Sequence, residues 1–149
     1  MQWQQEDYVI TDNREDLELH TIHGFLRETY WAKGIPRALV ETAVANSLCF
    51  GLYHHGRQVG FARAITDRAT FAYLGDVFIL PDHRGCGLAK WLVACILEHP
   101  QLQGLRRILL ATSDAHGLYR GCGFSALKEP GKFMEIGRPN PYHADRADG

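Results

Sequence analysis

The chain contains no apolar run near the ~20 residues that a bilayer-spanning helix requires, which excludes a helical membrane span. Its opening residues, Met1-Gln2-Trp3-Gln4-Gln5-Glu6-Asp7, are too polar and acidic for a secretory signal, so the expected location is the cytoplasm, with no membrane partner. Basic residues are not clustered. The 16 Lys and Arg are scattered among 17 Asp and Glu for a net charge of −1, which argues against nucleic acid as a partner. The four cysteines, Cys49, Cys86, Cys95 and Cys122, form no C-x-x-C pair and have no finger-like spacing. They read as reduced thiols, and no metal is expected. There is no G-x-x-x-x-G-K-[ST] loop, and no G-x-G-x-x-G opens the first βα unit, so a nucleoside triphosphate or a dinucleotide is disfavoured. No internal repeat is visible.

What is present suits one soluble domain: 149 residues, 46% apolar and 22% charged, enough for a single core. The domain is expected over 1–137. After it, Gly137-Arg138-Pro139-Asn140-Pro141 breaks any strand and leaves 138–149 as a loose tail. Tyr8-Val9-Ile10 reads as a first strand, and Thr11-Asp12-Asn13 supplies cap chemistry for a helix beginning near Arg14 with Leu19, Ile22, Phe25 and Leu26 on its apolar face. Lys33-Gly34-Ile35-Pro36 ends that helix, and Pro36 opens a second one running to about Ser47. Three β-like segments follow at 49–53, 59–65 and 71–80, an antiparallel meander turning at His55-Gly56-Arg57 and Asp67-Arg68. Ala89, Leu92, Val93, Ile96 and Leu97 then mark one helical stripe. Strands at 107–111, 124–127 and 133–136 are expected, with a short helix from His116 to Cys122. The strand–helix–strand unit from 71 to 111 implies a right-handed crossover between parallel strands.

The strongest chemical signal is Arg84-Gly85-Cys86-Gly87-Leu88-Ala89, which lies between the end of a strand and the first turn of a helix. A helix start carries unsatisfied N–H groups and about half a positive charge, which suits a pyrophosphate, and glycine lets the backbone approach it closely. Taken alone, such a short string is equally compatible with a turn in which glycine merely relieves strain.

A second motif follows a helix and a strand later: Tyr119-Arg120-Gly121-Cys122-Gly123-Phe124. With both motifs in that order, the chain resembles the GNAT superfamily of acetyl-coenzyme A-dependent N-acetyltransferases over about 8–136. Arg84 to Ala89 matches that family's R/Q-x-x-G-x-G/A loop, and 119–124 matches its Tyr-x-x-x-Gly-Phe segment. The resemblance implies a single α/β (α+β) domain with about four helices around a mixed central sheet of about six or seven strands. That sheet would be largely antiparallel, with one parallel pair splayed around the coenzyme.

It also implies a site. Backbone groups of Val77, Phe78 and Ile79 would pair with the pantetheine arm. The loop from Arg84 through Gly85, Cys86, Gly87, Leu88 and Ala89 to Lys90 would hold the phosphates. Gly75 fits the bulge that such a strand requires. Tyr119 would be the general acid that protonates the leaving thiolate. Asp76 would act as base, directly or through a water, or would recognise a basic substrate; Tyr73 and His116 are other candidates. Tyr30, Trp31, Phe25 and His23 would shape the acceptor pocket, receiving an amine by cation–π contact or simply packing as core. Many similar proteins carry an asparagine before this tyrosine, where the present chain has Thr112-Ser113-Asp114. Thr112 is the expected replacement contact to the coenzyme. Cys86 has no paired His and Asp and is not read as a nucleophile. The implied activity is direct transfer of acetyl from acetyl-coenzyme A to a primary amine, of a small molecule or of a protein lysine or N-terminus. The alternative is a non-catalytic acyl-coenzyme A binding module. A homodimer is the assembly that the resemblance leaves open.

Overall fold

The computed structural model describes residues 1–142, so most of the expected tail, 143–149, lies outside the described residues. Among the described residues, six strands form one sheet in the order of the sequence, and four α-helices pack on its two faces. Strands β1 (Gln2–Gln5), β2 (Tyr8–Thr11), β3 (Leu48–His54), β4 (Arg57–Thr66) and β5 (Phe71–Ile79) are antiparallel neighbours, and β5 pairs in parallel with β6 (Arg107–Leu109). The meander and the parallel pair are as the sequence reads.

Side chains alternate across the sheet, as the two-residue strand period requires. Phe50 and Leu52 of β3 face a core closed by α3 (Leu88–Glu98), whose Leu92, Val93 and Ile96 are fully buried. Cys49 and Phe61 face the opposite core, filled by Ile22 and Leu26 of α1 (Leu19–Leu26) and by Val40 and Val44 of α2 (Arg37–Ala45). Each such side chain contributes about 1.5–3 kcal/mol of transfer free energy.

Four expectations need correction. The chain's polar opening forms strand β1, registered from Gln2 opposite Thr11 to Gln5 opposite Tyr8. As an edge strand with little to bury, it carries no apolar alternation to read. The first helix does not begin near Arg14. Asn13 caps only a 3-10 turn over Arg14–Asp16, Leu17 is extended, and the helix starts after Glu18, which accepts the Gln58 backbone amide. That helix stops at Leu26, not at the Lys33-Gly34 break, because the Thr29 hydroxyl donates to the Leu26 carbonyl and Gly34 N–H closes a loop onto Arg27. Finally, neither 124–127 nor 133–136 is a strand. Strand hydrogen bonds lie between segments, so a short apolar-rich stretch does not become a strand without a neighbour. β6 is itself only three residues long, and a 3-10 turn at Pro130–Lys132 separates the two stretches. The short helix does form, as α4 (His116–Gly121).

Candidate active site

After β5 the chain makes a 3-10 turn at Pro81–His83, passes through extended Arg84 and enters α3. Gly85 and Gly87 take φ of +86° and +80°, and a Cβ at either would meet nothing within 4 Å. Backbone conformation, then, and not crowding, is what asks for glycine here, and the space over the loop is open. The amides of Gly85, Cys86 and Gly87 have no acceptor among the described residues, and those of Leu88, Ala89 and Lys90 belong to the helix's orphan first turn. Together they make a concave row of donors backed by the helix dipole, which fits a pyrophosphate. Arg84 is held at the loop's entrance: its Nε donates to the Ile79 carbonyl at 2.9 Å, and its guanidinium carbon lies 5.9 Å from the centre of the Phe25 ring. The Cys86 thiol donates to the His83 carbonyl.

β5 has nine residues and is treated very differently on its two sides. Toward β4 it is paired from Ala72, opposite Thr66, to Ile79, opposite Gly60. Toward β6 it is paired only at Phe71, Ala72 and Tyr73. Beyond Tyr73 the parallel pair parts, and the edge at Val77, Phe78 and Ile79 has no strand beside it among the described residues. The bulge expected near Gly75 is present one residue later. Arg63 pairs with Gly75 and Phe61 with Phe78, so two residues of β5 stand opposite Ala62, and one of them, Asp76, has φ +54°.

Between the parted strands a cleft of about 560 Å³ gathers Tyr30, Trp31, Tyr73, Asp76, Val77, Thr112 and Tyr119. Asp76 lines it and is fully engaged: Oδ1 accepts Trp31 Nε1–H at 2.8 Å, and Oδ2 accepts from Arg63 Nε at 2.8 Å. The Arg63–Asp76 pair is largely buried, and Arg63 also donates to the Ser47 hydroxyl. Arg63 belongs to the site but escaped the sequence reading. Its signal was a lone cation inside the apolar run Val59-Gly60-Phe61-Ala62-Arg63-Ala64-Ile65. Tyr30 stands edge-on to Trp31 with ring centres 5.0 Å apart, and its hydroxyl accepts the Ser113 amide. The Thr112 hydroxyl is taken up by the amides of Asp114 and Ala115 at the start of α4, and His116 is the first residue of that helix.

Two residues expected in the acceptor pocket, Phe25 and His23, do not line this cleft. Phe25 stacks on Phe78, with centres 4.1 Å apart and planes at 14°, in the core beneath the loop. His23 hydrogen-bonds the Ile35 carbonyl, which ties α1 to the segment before α2.

Tyr119 projects from α4 into the cleft, its ring edge-on to Phe124. Burial, then the nearby Cys122, Tyr30 and Asp114, raises its pKa, so the phenol keeps its proton across the neutral range.

A row of free amides at the start of α3, a half-opened parallel strand pair and a tyrosine at the junction thus lie together on a mixed α/β sheet. Comparison with known proteins agrees. Residues 25–124 match the model of the Acetyltransferase (GNAT) family, and the chain belongs to that family. It is 34% identical to a Gibberella zeae protein named as an acetyltransferase, over 78% of each chain. It is 52% identical to a Xanthomonas campestris protein assigned to the GNAT acetyltransferases, whose crystal structure superposes with a TM-score of 0.88 over 91% of this chain and 96% of that one. A Clostridium acetobutylicum structure with acetyl-CoA shares the fold at 14% identity, with a TM-score of 0.63 over 87% and 94% of the two chains.

Proposed function

We propose that the chain moves an acetyl group from acetyl-coenzyme A to a primary amine, of a small molecule or of a protein lysine or N-terminus, directly within a ternary complex. The observation that carries this reading is the position of Tyr119, a neutral phenol in the cleft into which the open edge of β5 leads. The Gly85–Gly87 amides and the first turn of α3 would hold the coenzyme's phosphates, and the free edge at Val77, Phe78 and Ile79 would hold its arm. When bound, acetyl-coenzyme A supplies an activated thioester. The acceptor nitrogen attacks the carbonyl carbon, a C–N bond forms as the C–S bond breaks, and Tyr119 donates its hydroxyl proton to the departing sulfur. The acceptor amine, which titrates near 10 when free, loses its own proton to solvent or to a neighbouring group.

Asp76 is better suited to organising the cleft than to taking that proton. Its two oxygens already hold Arg63 and Trp31, so it fixes the aromatic wall against which a cationic acceptor would rest.

The test is thiol release from acetyl-coenzyme A across a panel of primary amines. Turnover should appear with at least one of them, and Tyr119→Phe should lower kcat about a hundredfold or more with coenzyme affinity kept. The wild-type rate should rise with pH as the amine deprotonates and show no falling limb below about 10, because the tyrosine's pKa is displaced upward. Coenzyme binding with no turnover on any amine would leave a binding module instead, and an unchanged kcat in Tyr119→Phe would remove the acid assignment.

A further inference from the structure

Two hairpin turns lie side by side at one end of the sheet. The first, Glu6-Asp7, joins β1 to β2 between the paired residues Gln5 and Tyr8. The second, His55-Gly56, joins β3 to β4 between the paired residues His54 and Arg57. β2 and β3 are antiparallel neighbours with Tyr8 opposite His54, so the register carried one step further sets Asp7 across from His55. The topology thus brings three metal-ligating side chains, Asp7, His54 and His55, to one corner from turns far apart in sequence.

The backbone of the second turn gathers them. Successive side chains of a strand point to opposite faces, so two consecutive histidines ordinarily part. His55 instead takes φ +50° and Gly56 φ +80°, positive at both central residues as a tight hairpin turn requires. The His55 ring is thereby folded back to 4.0 Å from that of His54, centre to centre. Asn or Gly closes such a turn at least as well, so the backbone does not ask for an imidazole here.

One ligand atom from each of Asp7, His54 and His55 lies within 4.8 Å of the other two. Tetrahedral bonds of about 2.0–2.1 Å to a zinc-sized ion set ligand atoms about 3.3–3.5 Å apart, and rotation of the exposed Asp7 and His55 side chains closes the difference. None of the three has a hydrogen-bond or ion-pair partner among the described residues, so no such contact must be broken first. His54 is steadied from behind. It stacks on Tyr8 with centres 4.6 Å apart and planes at 30°, and the Tyr8 hydroxyl is hydrogen-bonded to Nδ1 of His83 at 2.9 Å. Arg57, the cation opposite His54, is drawn to Glu18 at 3.4 Å. The expectation of no metal rested on cysteine spacing, and no cysteine belongs to this group.

We propose that Asp7, His54 and His55 bind a zinc-like divalent transition-metal ion, at a site separate from the acyl-transfer cleft. Two imidazoles and a carboxylate suit zinc, nickel or copper(II) and are poorly matched to magnesium, which takes oxygen ligands. Three protein ligands leave a fourth position to water. The ion clasps the β1–β2 turn to the β3–β4 turn.

Zinc chloride titrated into the full chain, free of any histidine tag, should bind in the micromolar range by calorimetry and raise the melting temperature. On zinc addition the imidazole nitrogens of His54 and His55 should shift in the NMR spectrum, and those of His20 and His116 should not. Asp7→Asn and His55→Asn should each weaken binding about tenfold or more with the circular dichroism spectrum unchanged, because both are exposed turn positions that accept Asn. About a hundredfold excess of magnesium should not displace the zinc. No zinc binding, unshifted His54 and His55, affinity that survives both variants, or displacement by magnesium would each overturn the proposal.

Discussion

The two halves of the sheet handle the same backbone differently. From β1 to β4 every strand inside the sheet is paired on both sides, and the outer edge is a short polar strand latched at its end. The Met1 ammonium and buried His99 both bind Asp12, at 2.9 and 2.7 Å. From β5 onward the ladder parts after three residue pairs, and the last strand leaves an edge open. The first half spends its hydrogen-bonding groups on itself. The second leaves them unpaired among the described residues, and the cleft residues gather there. The lesson is that unsatisfied backbone, when it is held in place by a saturated neighbour, can serve as a binding surface.

The largest test of that division falls on the closed half. Phe61 is fully buried and packs against Phe78, so Phe61→Ala should cost about 3–5 kcal/mol in denaturant unfolding. A cost under about 1 kcal/mol would mean that the saturated half is not what holds the parted half in shape. Next, Gly87→Glu should lower coenzyme affinity by about a hundredfold or more in calorimetry, through charge opposed to phosphate at a helix start. Its stability cost should be only the about 1–2 kcal/mol of a left-handed L-residue, since no atom lies within 4 Å of the new Cβ. Intact affinity would move the phosphates elsewhere.

A smaller effect is expected at Asp76→Asn, a substitution that tolerates the positive φ but removes the charge and turns one of the two acceptors into a donor facing Trp31 or Arg63. KM for a cationic amine should rise about tenfold while kcat changes by less than about threefold. A hundredfold fall in kcat with KM preserved would instead make Asp76 the base. The smallest effect belongs to the latched edge. Burial pushes the Asp12 carboxyl up, but hydrogen bonds from His99 and the N-terminal ammonium outweigh it and hold the pKa below the usual carboxylate value. A depressed pKa contributes stability above about pH 3.9 and loses it as the pH falls through the folded value. The gap in melting temperature between wild type and Asp12→Asn should therefore narrow on acidification; a constant gap would remove charge from the explanation.

The sequence made the open half's chemistry legible and its architecture less so. Gly85 and Gly87 stand out because their conformation is a local demand, and the stripe of α3 is visible because helical burial repeats at a fixed interval. The tie between Arg63 and Asp76 could not be read, because it exists only through a cross-strand register and an extra residue in one strand. β1 was missed because an edge strand with polar side chains shows no burial. Residues 124–127 and 133–136 were over-read for the converse reason: their apolar residues are real, but a strand is a property of two segments, and among the described residues neither has a mate. Phe25 was grouped with Tyr30 and Trp31 because the resemblance places the end of the first helix at the acceptor pocket. The Thr29 turn carries Tyr30 and Trp31 off the helix axis toward the cleft and leaves Phe25 behind in the core.

The additional residue at Asp76 also changes which numbers face which side. Before it, even positions of β5, Ala72 and Leu74, look toward α3. After it, odd positions do, Val77 and Ile79, while Phe78 turns to the α1 and α2 layer. Pairing β5 without the bulge, with Asp76 kept, would exchange the surroundings of Phe78 and Ile79, sending an aromatic ring into the α3 layer and leaving Phe61 and Phe25 without their neighbour, whereas deleting Asp76 would leave both on their present faces. The strand faces the same two cores on both sides of the bulge, and the parity of its numbering alone changes.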